Sequence, residues 1–312
     1  MSKLYATVEE RMQKVDQLSI IHPRMKRVLE KIEYCHQMSK FLCEPQCLFI
    51  SGQTGVGKTF IHHYYSRQYP ANINEQGERT VSVVSCHVSF PITIKSLIAT
   101  IGTKLDDENF AKGSIFQQTK HLENMVKERN VQLIIIDDMR VYSDQKLMKD
   151  TKKTMEWLNT FIDSTRIPFI LIGSPFFMKS LKYIPKLDRR FAFRETLDAF
   201  EYKSRASQTE FRMLLKHIGH LMPFSEPSVV GDEEVVREIH HVTRGVIGNI
   251  MQIISRAYYH AIQNNNEAIS SETLATAIRE FSEFAQPQEN LVRQKDIGFR
   301  RKKSHTKNEN LE

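Results

Sequence analysis

The clearest chemistry in the chain lies at residues 52–59. The run Gly-Gln-Thr-Gly-Val-Gly-Lys-Thr fits the phosphate-binding loop pattern G-x-x-x-x-G-K-[ST] at every fixed position. The glycines let successive backbone N–H groups converge on an anion. Lys58 can then reach the β- and γ-phosphates, and the Thr59 hydroxyl can ligate Mg²⁺. The predicted nucleotide-binding set is Gly52, Gln53, Thr54, Gly55, Val56, Gly57, Lys58 and Thr59.

Polar residues directly follow two apolar runs of the sequence. The run 131–136 predicts a strand buried on both faces, and it is followed by Asp137 and Asp138. Acids at the carboxyl end of such a strand would lie beside the phosphate loop, where Asp137 would hold Mg²⁺ through water. The run 167–173 predicts another strand and ends in Ser174, whose hydroxyl could touch the γ-phosphate or the attacking water.

The elements that must position these groups can be read from the hydrophobic pattern. Strands alternate with helices over residues 47–194, which predicts a parallel sheet covered by helices. From about residue 197 only helical patterns occur. The predicted organisation is a helical lead-in (1–46), an α/β nucleotide-binding domain (47–196), a small all-α lid domain (197–285) and a disordered basic tail (286–312).

Composition excludes some classes of protein. The chain has 312 residues, 40% hydrophobic and 26% charged, which is typical of a soluble globular protein. It has no apolar run near the roughly 18–20 residues of a membrane span, and its charged N-terminus lacks the apolar segment of a signal peptide. We therefore expect a cytoplasmic protein with no membrane partner. The net charge of +7 favours an anionic partner, although it could serve solubility alone.

Two smaller patterns each allow two interpretations. The four cysteines contain no C-x₂-C pair, so reduced structural thiols are favoured over a zinc site. The segment His22-Pro23-Arg24 is compatible with a simple helix start, since proline suits the first turn. It is equally compatible with a loop near the nucleotide base. The cysteines are Cys35, Cys43, Cys47 and Cys86.

These motifs in combination resemble those of an AAA+ ATPase and, more narrowly, the TniB/TnsC family of transposition regulators. The segments that carry the resemblance are His22-Pro23-Arg24, GQTGVGKT, LIIIDD, LIGS, LDRRF and the stretch TRGVIGNI at 243–250, and the likeness covers roughly residues 20–285. The resemblance implies an AAA+ P-loop fold with a helical lid. It also implies ATP and Mg²⁺ as cofactors, bound by the loop residues, Asp137, His22 and Arg24.

The resemblance also implies catalytic roles. Asp138 occupies the place of the residue that orients the attacking water, where the family usually has Glu. The shorter side chain predicts slow hydrolysis with binding intact. Ser174 matches a sensor position and Arg244 a possible sensor arginine. Arg190, with Arg189 second, is the candidate arginine finger that completes a neighbouring subunit's site, so activity would require a homo-oligomer.

The same family binds duplex DNA inside a ring or helical filament. The matching candidates here are Thr93, Lys95, Lys112 and Ser114. Charge, hydroxyls and backbone N–H groups can hold phosphates without reading bases, so binding should be sequence-tolerant and salt-sensitive.

The leading functional hypothesis is an ATPase that assembles on target duplex DNA with ATP and recruits a transposase, together with a target-selection protein. Hydrolysis would then disassemble the complex. A helicase-loader-like AAA+ ATPase is one alternative. The other is an ATP-gated DNA-binding scaffold with little turnover.

Overall fold

The computed structural model describes residues 8–73, 75, 77–88, 91–106, 113–140, 145–182 and 184–284. Its elements, in chain order, are α1 (Val8–Asp16), α2 (Pro23–Met38), β1 (Leu48–Gly52), α3 (Lys58–Arg67), β2 (Asn72–Ile73), β3 (Arg79–Thr80), β4 (Val83–His87), α4 (Ile94–Lys104), α5 (Ile115–Glu128), β5 (Leu133–Met139), α6 (Gln145–Thr165), β6 (Phe169–Gly173), α7 (Pro175–Leu181), α8 (Pro185–Arg190), β7 (Phe193–Leu197), α9 (Arg205–Leu221), a 3₁₀ turn (Val229–Gly231), α10 (Glu233–Thr243) and α11 (Ile247–Gln263). Residues 271–284 are also helical.

The chain divides into two compact units. One contains residues 19–199, and the other combines residues 8–18 with residues 200–284 of the described chain. The predicted lead-in of 1–46 therefore does not pack as a single segment. Helix α2 packs on the sheet through Met25, Val28 and Ile32. Helix α1 belongs with the C-terminal helices, where Arg11 lies over aromatic rings.

The first unit is built on a five-stranded parallel sheet in the order β4-β5-β6-β1-β7. Strands β1 and β6 are buried along their whole length. Burial of this kind is expected of parallel strands with helices on both faces. It explains why their sequences are continuously apolar rather than alternating, and it confirms the predicted α/β sheet.

Alternate side chains of each strand face opposite layers. Leu48 and Ile50 point into the core shared with α2 and α3, whereas Phe49 points into the core formed with α4 to α8. In β5, Leu133 and Ile135 face the α3 side. A polar residue two positions further along β5 therefore also faces α3, provided that the alternation continues.

Several element boundaries differ from the predictions. The Val- and Thr-rich run 80–87 predicts a strand, but β4 begins only at Val83, because Arg79–Thr80 pairs instead with Asn72–Ile73 in a short antiparallel hairpin. The sequence also predicts a helix over about residues 152–163, whereas α6 begins earlier, at Gln145. Such ends depend on packing and capping, which the hydrophobic pattern reports poorly.

The C-terminal unit is helical throughout its described residues, apart from connecting turns. The helices are amphipathic, and α9 buries Phe211, Leu214, Leu215 and Ile218 on one side. This confirms the predicted small all-α region. None of the described helices is long and apolar enough to cross a membrane.

Candidate nucleotide-binding site

The phosphate-binding loop connects β1 to α3. Gly55 and Gly57 have φ angles of +85° and +94°, in the left-handed region where a side chain would strain the backbone. Val56 lies between them and is buried in the core on the α3 side, which anchors the loop to the sheet. Gly57 is the N-cap of α3 and has no side chain to cap the first N–H groups. The loop and the helix start can therefore offer backbone N–H groups to an anion.

Lys58 is held by the loop itself. Its Nζ donates hydrogen bonds to the carbonyl oxygens of Gly52, at 2.8 Å, and Gln53, at 2.7 Å. Partial burial lowers the pKa of Lys58, and the nearby carboxylates of Asp137 and Asp138 oppose this shift. The ammonium group thus lies within electrostatic range of both acids at the end of β5.

Thr59 and Asp137 form a direct contact between the loop and the sheet. The Thr59 hydroxyl donates to Asp137 Oδ2 at 2.8 Å, and the Asp137 side chain is almost completely buried. Burial raises the pKa of Asp137, but the adjacent His62 imidazole and the hydrogen bond from Thr59 lower the pKa by more, so that it lies below its ordinary value. Asp137 is therefore an ionised acceptor beside the phosphate loop.

A β-bulge separates the two acids of β5. Ile136 pairs with Leu171 and Met139 pairs with Gly173, so the two acids face a single residue of β6. Asp138 has a φ of +70°. A bulge redirects side chains relative to the regular pleat. The two carboxylates therefore enter different surroundings although they are adjacent in the chain.

Asp138 lies in a more exposed and more basic environment than Asp137. Its Oδ1 accepts a hydrogen bond from Arg140 Nε, and its Oδ2 lies 3.5 Å from His87 Nε2. Its side chain is 26% exposed, against 3% for Asp137. An attacking water would have to compete with Arg140 for this carboxylate.

Ser174 follows β6 at the same edge of the sheet. Its hydroxyl accepts a hydrogen bond from the backbone N–H of Phe177 at 3.2 Å, at the start of α7. Its own N–H donates to the Met139 carbonyl at 3.1 Å, next to the bulge. The structure thus places Ser174 beside the end of β5, and its contact with a γ-phosphate stays a prediction.

The two candidate finger arginines differ sharply in exposure. Arg190 has a side chain only 10% exposed, forms an ion pair with Asp163, and lies 3.4 Å from Asn159 Oδ1. Arg189 has a side chain 79% exposed and lies 3.4 Å from Glu44. Of the two, Arg189 is available to another molecule, whereas Arg190 is engaged within its own chain.

The other predicted nucleotide contacts have local structural roles in this structure. His22 is the N-cap of α2 and accepts from the Met25 N–H at 3.3 Å, so the helix-start interpretation is realised. Arg24 donates to the Ala199 carbonyl at 3.3 Å, just beyond β7. Arg244 lies in the C-terminal unit, at the left-handed C-cap of α10. Their contacts with a nucleotide stay predictions.

The predicted DNA contacts lie at the starts of two helices. Thr93 caps α4 and Ser114 caps α5, each through a reciprocal capping box. Lys95 is exposed in the first turn of α4. Lys112 lies outside the described residues. The hydroxyls of Thr93 and Ser114 therefore already stabilise helix starts, and their role in binding DNA is untested.

The cysteines are unpaired thiols. Cys35, Cys47 and Cys86 are buried, and burial raises the pKa of each to about 12. Cys43 is exposed. No cluster of three or more metal-ligating side chains occurs within the described residues.

Sequence reasoning missed four polar side chains around the acids. His62 could have been found from its spacing, because it lies three residues after Thr59 and so shares one side of α3 with it. The others depend on strand pairing and on the bulge, which no local pattern announces. The four side chains are His62, Ser85, His87 and Arg140.

A known protein family matches most of this chain. The profile of the family described as bacterial TniB protein matches residues 11–202, more than half of the chain. The chain belongs to the TniB family. No curated protein shows significant similarity to it.

Solved structures similar to this TniB-family chain share its fold at low identity. The Aeropyrum pernix ORC2 protein, in its ADPNP–ADP complexes, has a TM-score of 0.61 and 15% identity, covering 86% of this chain and 71% of that one. The Aeropyrum pernix ORC1 protein, in complex with DNA, has a TM-score of 0.61 and 14% identity, covering 86% and 69%. The Walker-type ATPase of Pyrococcus abyssi has a TM-score of 0.55 and 14% identity, covering 93% and 80%. The fold is that of the AAA+ P-loop ATPases.

Proposed function

We propose that this TniB-family protein is an ATP-dependent regulator of transposition that oligomerises on target duplex DNA and recruits a transposase. Its family and its AAA+ fold support the general assignment. The observation that carries the nucleotide site is the 2.8 Å hydrogen bond from the Thr59 hydroxyl to Asp137 Oδ2, beside a glycine loop with left-handed residues.

The residues at this site fit Mg²⁺ and a triphosphate. Hydroxyl and carboxylate oxygens are the ligands that Mg²⁺ prefers, and Thr59 and Asp137 supply one of each. Thr59 would ligate the cation directly, and Asp137 would hold it through water. The cation, when bound, neutralises negative charge on the phosphates. Lys58 binds the β- and γ-phosphates, to which its flexible side chain can turn from the loop carbonyls.

Hydrolysis is slow and depends on assembly. Asp138 orients the attacking water, but its carboxylate is short and its Oδ1 is engaged by Arg140. A neighbouring subunit supplies the arginine that completes the site. Sequence reasoning preferred Arg190 for this role, whereas the burial of Arg190 against Asp163 and the exposure of Arg189 favour Arg189.

DNA binding by the same assembly is sequence-tolerant. The starts of α4 and α5 offer backbone N–H groups together with Lys95, and Lys112 precedes α5 in the chain. Affinity should fall steeply with salt, because phosphate contacts release counterions. ORC1 of Aeropyrum pernix, which has a similar fold, is itself a complex with DNA.

Lys58→Ala provides the primary test. We expect native protein with a non-hydrolysable ATP analogue to assemble on duplex DNA in electron micrographs, and with ATP to release phosphate faster when DNA is present. Lys58→Ala should lose both properties, because the lysine binds the phosphates on which assembly depends. Lys152→Ala removes the same charge at an exposed position of α6 and is the matched control.

The outcomes separate the competing functions. Assembly of Lys58→Ala on DNA to the native extent would contradict the nucleotide-gated proposal. Assembly by native protein without phosphate release would identify the ATP-gated scaffold, a function that the Asp138–Arg140 pair favours. Closed hexamers instead of continuous filaments would favour the helicase-loader alternative. Retention of a transposase by the assembled protein would test recruitment.

A further inference from the structure

His62 is a buried imidazole next to the candidate cation ligands. Its side chain is 3% exposed, and it lies on α3 one turn after Thr59. Its Nδ1 lies 2.8 Å from the Ser85 hydroxyl and its Nε2 lies 3.2 Å from Asp137 Oδ2. This Nε2–Oδ2 approach is a close polar contact rather than an aligned hydrogen bond, and Nε2 has no hydrogen-bond partner among the described residues. Ser85, His62 and Asp137 thus form a continuous polar chain.

The fold brings these residues together from three separate elements. Ser85 of β4 pairs with Ile135 of β5, whose side chain faces α3, two positions before Asp137. Thr59 and His62 share one side of α3, and both contact the same carboxylate oxygen, Oδ2. One face of the helix therefore presents two polar groups to one acid.

The chemistry of the groups gives this chain a direction. An ionised carboxylate can only accept hydrogen bonds, so the His62 nitrogen facing it carries the hydrogen. In a neutral ring the other nitrogen, Nδ1, then accepts from the Ser85 hydroxyl. Hydrogen positions follow from the neighbours in this way. Ser85 thereby orients the ring that orients Asp137.

We propose that His62, held by Ser85, is a positioning residue that fixes the Asp137 carboxylate for the divalent cation of the nucleotide site. This inference rests on the proposed function. Carboxylates that hold a metal are commonly oriented by hydrogen bonds from surrounding side chains, and removing such a partner costs about 10- to 100-fold in metal affinity or activity.

Two amide substitutions separate positioning from mere packing. Gln places its amide nitrogen near the position of Nε2, so His62→Gln can still donate to Asp137. Asn places its amide near Nδ1, so His62→Asn can reach Ser85 but not Asp137. Both variants lose the packing of the imidazole ring and differ only in the partner that the amide can reach, so each is the control for the other. Ser85→Ala removes only the outer hydrogen bond to the ring.

The readout is binding of Mn²⁺, a paramagnetic substitute for Mg²⁺, measured by electron paramagnetic resonance with a saturating non-hydrolysable ATP analogue. Nucleotide affinity without divalent cation and thermal unfolding are measured in parallel. We expect His62→Asn to bind Mn²⁺ about 10- to 100-fold more weakly and His62→Gln to keep most of the native affinity. Ser85→Ala should show a smaller loss, and metal-free nucleotide affinity should be unchanged throughout.

Native Mn²⁺ affinity in His62→Asn would overturn the inference. Equal loss of Mn²⁺ binding in both amide variants would also overturn it, as would an equal loss of metal-free nucleotide affinity, which indicates a packing role. Failure of the proposed function has a different signature. In that case the native protein itself would bind neither the nucleotide nor Mn²⁺ with it.

Discussion

The end of β5 and the end of α8 each carry two like-charged neighbours, one much more buried than the other. At β5 the buried residue, Asp137, faces the phosphate loop and contacts Thr59. At α8 the more buried residue, Arg190, is paired with Asp163 of its own unit, whereas Arg189 is exposed. The buried member is thus the candidate functional residue in one pair, and the structural residue in the other.

The difference shows that burial alone does not assign a role to a charged residue. A buried charge must be paired or hydrogen-bonded, and its partners decide what it can do. The partners of Asp137 are side chains of the nucleotide-binding helix α3. The partners of Arg190, by contrast, lie in α6, on the opposite layer of the sheet from α3.

The largest expected effect concerns the α8 pair. Arg189→Ala should reduce assembly-stimulated phosphate release by about 10³-fold or more, because an arginine supplied across an interface is worth that much in rate. Thermal unfolding of the variant should stay close to native, since an exposed ion pair contributes at most about 1 kcal/mol. Phosphate release and calorimetry on the same samples provide the measurement.

Arg190→Ala is the matched variant for this prediction. It should lower the free energy of unfolding by about 1 kcal/mol, because it removes the packing of a largely buried side chain together with its ion pair to the half-exposed Asp163. The assignment of Arg189 would be wrong if Arg190→Ala abolished stimulated hydrolysis in a fully stable protein while Arg189→Ala remained active. Arg190 would then be the arginine supplied to the neighbouring subunit.

The next effect concerns the buried acid of β5. Asp137→Asn preserves the shape of the side chain but removes the charge that holds the cation, so hydrolysis should fall by at least about 100-fold. Nucleotide binding without Mg²⁺ should change little, because the loop and Lys58 remain. Measuring both in one preparation tests the assignment, and a variant that hydrolyses ATP at half the native rate would refute it.

The smallest effect concerns Asp138, the less buried of the two acids. Asp138→Glu lengthens the side chain by one methylene, and we expect phosphate release to rise about tenfold if this residue orients the attacking water. Asp138→Asn is the control and should lower the rate, with ATP affinity unchanged in both variants. Equal turnover in native protein and in Asp138→Asn would remove Asp138 from the mechanism.

Local sequence was sufficient for the sheet and the phosphate loop. The continuous apolar runs of β1, β5 and β6 predict buried parallel strands, and the structure has them. The spacing of Gly52, Gly57 and Lys58 predicts the strand–loop–helix unit, because only glycine adopts the backbone of such a loop without strain. These features depend on neighbours in the chain, so a sequence pattern can express them.

The ends of the helices and strands, and the grouping of the helices into units, were harder to predict from the sequence. Helix α1 packs with the C-terminal helices rather than with α2, and β4 is shorter than its apolar run suggests. Both depend on contacts made by residues far apart in the chain. Propensity and periodicity contain no information about those partners.

By itself the sequence determined the parallel sheet, the phosphate loop and the two acids that follow β5. Only the tertiary structure decided the burial and the contacts of each member of the two charged pairs. The bulge in β5 gives Asp138 different surroundings from Asp137. The pairing of β4 with β5 brings Ser85 near Asp137, the packing of α3 brings His62 there, and α6 supplies the ion-pair partner of Arg190. The physical reason is that residues distant in the chain determine the burial and the hydrogen-bond partners of a side chain. The charge of a residue and its spacing from its neighbours, by contrast, are properties of the local sequence.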